Sequence, residues 1–533
     1  MRVVGLALVL ACGRSVLDVS PPERDGVDAA LRDAAFDVHD ATLDADAGSD
    51  AGEDSGVDAP MDDASLVDGS RDAGERCREG FDQTRLWPLE TPTTFPAYQD
   101  VGSLPLWVDV DADGQRETVF ISTDGLYRGV LRVLDDDGSV VSADHNDLSP
   151  LDHPAVGDLD GDGKLDVVTV RHAWGLRAYN HRGELKWLSR HPLIPYLGGR
   201  PVRRIGGYDP LGGFIDTSRY YHRRGGSAQV VDLEGDGRME VVFGATVLDG
   251  PTGELRWTAR SDGWQGTSYV HGPLTCIADL DGDGIQEIVA GNRAFRADGT
   301  LLWEADVRDG FCAVGNLLGD ELPEVVLTAH GYLRVFNGLT GVQEWIRPLR
   351  DIGRPAIGGP PFIANVGGDS RLEVGAAAKT GITAYDPTCA DCEPVLNISL
   401  EWDGFFDPDS GPAQAILAFD DRNDGVYEVI ARTAEAIYLF DRGRRRGFVR
   451  NEASRHHTAF LLPVDMDDDG EIELLSGSSY IRGTGTGDRE GAGDPERNRG
   501  LSLWRLRCEP LRGSVSNITH HAFEGDRGFR AIP

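Results

Sequence analysis

Nine residues at 158–166, DLDGDGKLD, place carboxylates at positions 1, 3, 5 and 9. Calcium is a hard cation that takes roughly six to eight oxygens at about 2.3–2.6 Å. Asp158, Asp160 and Asp162 supply oxygens that converge if the chain curls tightly, and Gly163 at position 6 permits the curl by entering the left-handed region. The backbone carbonyl of Lys164 and the carboxylate of Asp166 then complete a shell. The pattern recurs with Asp109, Asp111, Asp113, Gln115 and Glu117, and with Asp279, Asp281, Asp283, Ile285 and Glu287. Asp465, Asp467, Asp469, Glu471 and Glu473 form another set, and Asp232, Glu234, Asp236, Arg238 and Glu240 one with a longer arm at position 3. Position 7 gives only its carbonyl. The alternative for any one loop is a solvated acidic turn without an ion. An EF-hand is excluded, because it needs Glu at position 12 and a helix beyond; position 12 is Thr169 in one copy and Ala290 in another, followed by β-branched sequence. Carboxylates this close repel without a cation, so metal removal is expected to cost stability.

Three more nonapeptides, beginning at Asn316, Asn365 and Asp420, keep the frame and lose ligands. Leu318 and Leu322 interrupt the first, Gly367 takes position 3 of the second, and Arg422 puts a cation there in the third; these are expected to hold no metal. The eight copies start 37 to 74 residues apart, a spacing of propeller blades and other repeat arrays. The flanks repeat too. A short apolar segment precedes each loop (HPAVG, GPLTCIA, PPFIAN), and a β-branched run follows it (DVVTV, EVVFGA, EIVAG). Then comes a segment ending in a turn and a Trp, as in ATVLDGPTGELRW and LRVFNGLTGVQEW. Each unit is therefore four short strands joined by tight turns, with glycines where φ is positive. A four-stranded unit of this size cannot bury both faces alone, so neighbours must stack. The expected fold is all-β: a β-propeller of four-stranded blades, eight if every copy forms one, seven if one is displaced. Trp187, Trp257, Trp303 and Trp345 fall late in their units and are expected between blades.

These repeats resemble the FG-GAP/VCBS family, the integrin α-chain type of β-propeller, over about residues 100–506. The resemblance implies that each nonapeptide joins the innermost strand of a blade to the second strand and that the intact ones hold calcium. It speaks to fold and leaves activity open.

The N-terminus, MRVVGLALVLAC, has the shape of a signal peptide, and VLAC resembles the lipobox of bacterial lipoproteins. Residues 1–12 are thus expected to be a lipoprotein signal with Cys12 lipidated; an ordinary secretory signal is the alternative. Residues 13–76 are rich in Asp, Ala, Gly, Ser and Val and should form a disordered, self-repelling linker. The propeller is placed at 77–507 and a C-terminal tail at 508–533. A net charge of −37 argues against nucleic acid, leaving membrane association to the lipid anchor and localisation to the cell envelope, at the outer membrane or cell surface. Besides Cys12 the chain has six cysteines, an even number suited to three bridges. Cys389–Cys392 in CADC is the favoured pair; a zinc site would need a second ligand pair of similar spacing, and none is evident.

The stretch after Asp158 exceeds what a blade requires. Tyr196, Arg203, Arg204, Tyr208, Arg219, Tyr220 and Tyr221 there could meet a sugar or an anionic polymer, or the segment could merely cap the barrel mouth. The pairs His456–His457 and His520–His521 read as ordinary surface histidines, RGRRRG at 442–447 as a solvated hairpin tip, and 482–500 as a flexible insertion. Three functions stay open. The first is a cell-envelope binding or adhesion module for a protein or glycan. The second is a polysaccharide lyase or hydrolase on the same propeller. The third is a quinoprotein, suggested by LDGPTGELRW but lacking an adjacent cysteine pair.

Overall fold

The computed structural model describes residues 81–87, 100–101, 103–123, 129–135, 140–142, 148, 153–171, 175–189, 227–259, 274–319, 322–349, 358–378, 381–400, 413–420, 422, 424–433, 436–450, 461–478, 500–506 and 514–515. Cys12, the 13–76 stretch, the seven Tyr and Arg residues of 196–221, residues 482–499, both histidine pairs, Cys77 and Cys508 lie outside them.

Eight antiparallel sheets follow one another along the chain. Blade 2 shows the pattern: Ala155–Gly157, Asp166–Arg171, Gly175–Tyr179 and Leu185–Leu188, each hydrogen-bonded to the next. Blades 3, 4, 5, 6 and 7 begin with Gln229–Val231, Cys276–Ala278, Phe311–Gly315, Phe362–Ala364 and Ala413–Asp420. In blade 1 two short pieces, Asp100–Val101 and Leu106–Val108, both pair with Glu117–Thr123. Blade 8 starts at Leu461–Val464, and its outermost strand is the N-terminal Phe81–Trp87, paired with Gly500–Leu506. The earliest strand thus completes the last blade and ties the ring shut. Ser514–Val515 adds a fifth strand to the inner edge of blade 7.

The core lies between blades. Separate clusters of buried apolar side chains fill the interfaces from blade 1–2 to blade 7–8. A further cluster, with Val101, Phe120 and Leu134 against Leu501, joins blade 1 to blade 8. Eight interfaces for eight blades close a circle, so the fold is an eight-bladed β-propeller.

The four tryptophans sit between blades, as their spacing implies. Trp187, Trp257 and Trp303 donate their indole N–H to Gly250, Ala297 and Gly338, in the third-to-fourth strand turn of the next blade. In that turn Gly253, Gly299 and Gly341 face the ring so closely that a Cβ would stand 2.4–2.6 Å from a Trp carbon. The repeated Gly therefore serves both a positive φ (67–85°) and the seat of the Trp. In blade 6 this turn is CADC: Trp345 donates to the Cys389 carbonyl, and Cys389 is bridged to Cys392. A second bridge, Cys276–Cys312, staples the inner strands of blades 4 and 5.

Candidate metal centres

The nonapeptide occupies one place in every blade. Its position 9 residue opens the second strand in all eight: Glu117, Asp166, Glu240, Glu287, Glu324, Glu373, Glu428 and Glu473. All eight are buried. Seven accept the backbone N–H of position 2 at 2.6–3.2 Å, from Val110 in blade 1 to Met466 in blade 8. This bond persists in blades 5 and 6, whose loops have lost the acids of positions 1 and 3, so position 9 is a fold device first. Position 2 is apolar in every blade but the seventh and plugs the space between blades; Leu159, Leu280 and Leu317 belong to the interface clusters.

The curl is built by side-chain oxygens catching N–H groups. The Asp158 carboxylate accepts from Gly161, Asp162 and Gly163 at 2.8, 3.1 and 2.9 Å. Asp279 does likewise with Gly282, Asp283 and Gly284, and Asp465 accepts from Asp469 and Gly470. The position 5 aspartates accept from the N–H of position 7, in Gln115, Lys164, Arg238, Ile285 and Glu471, at 2.7–2.9 Å. Glycine at position 6 has φ of 83–93° in the five acidic loops. Position 4 is left-handed as well, at Gly161, Gly235 and Gly282, and also at Ala112 (62°) and Asp468 (55°), a demand that goes beyond the single glycine expected at position 6.

Four of the five acidic loops bring positions 1, 3 and 9 together with ligand oxygens within 4.8 Å of one another: Asp109/Asp111/Glu117, Asp158/Asp160/Asp166, Asp279/Asp281/Glu287 and Asp465/Asp467/Glu473. These clusters could hold a metal ion. The donor set fits a hard cation, being oxygen throughout, and in blade 4 Asp281 Oδ1 and Glu287 Oε1 are buried without a hydrogen-bond partner. Burial pushes Glu117 up to about 7, aided by Asp111, Asp109 and Asp135 against the opposing Val110 N–H bond. Burial likewise takes Glu287 to about 7, with Asp281, Asp283 and Asp279 adding to it. A cation in either cluster would relieve this repulsion.

Blade 3 differs. Arg256 forks onto Glu234 at 2.6 and 3.1 Å and reaches Glu240 at 2.5 Å, so a guanidinium stands between positions 3 and 9. Burial and Glu234 still hold Glu240 up at about 7. In blade 2 Lys186 bridges Asp160 (2.6 Å) and Asp166 (2.7 Å), and its hydrogen bond holds Asp160 below the usual carboxylate range. In blade 8 Arg505 meets Asp467 at 2.9 Å and Glu473 at 2.5 Å. In blade 7 Arg422, the cation at position 3, pairs with Glu428. The nonapeptides alone do not reveal these partners, since most come from other strands. The remaining basic feature, RGRRRG, spans a hairpin turn and the start of Arg444–Arg450.

No known family model and no curated protein sequence matches the chain. Among solved structures it is similar to the V. cholerae biofilm matrix protein Bap1, at 14% identity, over 81% of this chain and 92% of that one, with a TM-score of 0.56. It is also similar to the rhamnogalacturonan lyase YesW (17%, 80% and 75% covered, TM-score 0.48) and the Bacillus licheniformis rhamnogalacturonan lyase PL11 (15%, 77% and 76%, TM-score 0.49). At these identities the likeness to Bap1 concerns the fold.

Proposed function

We propose that this chain is a binding module of the cell envelope: a calcium-stabilised propeller that engages a protein or a glycan, carried on the acidic 13–76 linker from a lipidated Cys12. The fold likeness to a biofilm matrix protein over nearly all of that protein's length is the observation that supports it most. Calcium is the preferred ion because the ligands are carboxylates without nitrogen or sulfur. Its place is structural, since position 9 also holds the loop to the blade. The Tyr- and Arg-rich 196–221 segment is the proposed contact surface, its aromatic rings and guanidinium groups suited to sugar faces and anionic groups.

The test is retention of the purified propeller on envelope polysaccharide and on envelope protein, compared with a chain lacking residues 191–226. Retention lost on deletion supports the module and its contact surface. Equal retention would move the contact elsewhere. Release of unsaturated sugar ends from the polysaccharide would replace the binding module by a lyase.

A further inference from the structure

The residue just before the blade-packing Trp occupies a β-bulge. The register skips at Lys186 between Leu185 and Trp187, and likewise at Arg256, Leu302 and Glu344 in blades 3, 4 and 5. Blade 7 skips at Arg446. A bulge leaves one residue outside the ladder and re-aims its side chain. Where that residue is basic it meets the position 9 carboxylate of its own blade: Lys186 on Asp166, Arg256 on Glu240, Arg446 on Glu428 at 3.7 Å. In blade 4 the bulge carries Leu302, which packs against the core between blades 4 and 5. Its loop cation, Arg296, comes from the hairpin; it lies 2.7 Å from Asp281 but 3.8 Å from Glu287. That shortfall leaves Glu287 Oε1, on a fully buried side chain, and Asp281 Oδ1 of the same cluster without a hydrogen bond. In blade 1, among the described residues, no Lys or Arg pairs with Asp109, Asp111, Asp113 or Glu117, while Asp135 adds a further negative charge nearby.

We infer that a cation tethered between positions 3 and 9 decides how each loop is neutralised: blades 2 and 3 carry it on the bulge residue, blade 8 carries Arg505 on the strand next to the second, and divalent metal is required at blades 1 and 4. Tethered ammonium and guanidinium groups fill the seat between positions 3 and 9, and an ion cannot enter without displacing them. Calcium binding to the full chain is therefore expected at one site in blade 1 and one in blade 4.

Equilibrium dialysis with calcium, read as ions bound per chain, tests this, with circular dichroism to establish that each variant is folded. Arg256→Leu and Lys186→Leu, which copy the blade 4 bulge, should each raise the count by one. Leu302→Arg, the reverse exchange, should lower it by one. Should Leu302→Arg fail to fold, Asp281→Asn takes its place and should also remove one ion. Five ions on the parent chain, or a count unmoved by Arg256→Leu and by whichever blade 4 variant folds, would overturn the inference. The count does not depend on what the propeller binds, so it stands apart from the retention assay.

Discussion

Chelation should make the stability of this protein fall as the pH rises, and calcium should reduce that fall. Glu117 and Glu287 are pushed from about 4.5 up to about 7 in the folded chain by burial and by the aspartates around them. Between those pH values the folded chain keeps a proton that the unfolded chain has released, so stability decreases with each step upward and levels off above about 7. A displacement of this size corresponds to about 3 kcal/mol for each group as a ceiling. Calcium binds the deprotonated carboxylates, so its stabilising effect should be small near pH 5 and largest above pH 7. Urea unfolding followed by circular dichroism, in chelator and in calcium across this range, measures both curves. Glu287→Gln provides the control, since it should shrink the slope in chelator and the response to calcium together. Chelated protein whose stability is flat or rises from pH 5 to 7, or calcium stabilisation that is greatest at the acid end, would refute the reasoning.

Other perturbations probe separate parts of the architecture. Gly299→Ala places a Cβ 2.6 Å from Trp257 in a residue with φ of +85°; the left-handed strain alone costs about 1–2 kcal/mol, so the unfolding free energy read from urea denaturation should fall by more than that. Glu373→Ala strips the acceptor from the Val366 and Gly367 N–H groups, bonded at 2.7 and 3.0 Å, and should cost about 2–4 kcal/mol. Glu373→Gln should cost less, and neither loss should change with calcium, because Gly367 leaves that loop without a position 3 ligand. Replacing both Cys276 and Cys312 by Ala frees a bridge spanning a sequence separation of 36; the chain-entropy model puts the loss near 4 kcal/mol, measurable as a lower melting temperature than that of the oxidised parent.

Much of the fold was legible because each blade repeats one local solution. Acidic turn, β-branched strand, glycine turn and Trp recur in order, and each solves a neighbouring contact: the turn for position 9, the glycine for the preceding blade's Trp. What escaped was long-range or concealed in register. Phe81–Trp87 carries no repeat signature, and its partner Gly500–Leu506 lies more than 400 residues away along the chain. The Cys276–Cys312 bridge joins equivalent inner strands of successive units, a signal visible only once the units are aligned.

The loops themselves were partly legible. Their acidic residues give the spacing of a cation site, and four sets do converge. The chain's own competing cations were harder to find, since Lys186 and Arg256 precede a Trp in the innocuous strings ELKW and ELRW. Only the bulge shows why a residue in the outer strand reaches the start of the second. The contrast between ELRW in blade 3 and TLLW in blade 4 was available in the sequence and takes its meaning from that register.

The most direct test of an eight-bladed ring whose acidic corners are ion seats is an anomalous-difference map from crystals grown with a lanthanide in place of calcium. Peaks at about 2.3–2.6 Å from oxygens of Asp109, Asp111 and Glu117 and of Asp279, Asp281 and Glu287 are the result expected. A map without density at either corner, or with the ions held by residues outside the nonapeptides, would contradict it.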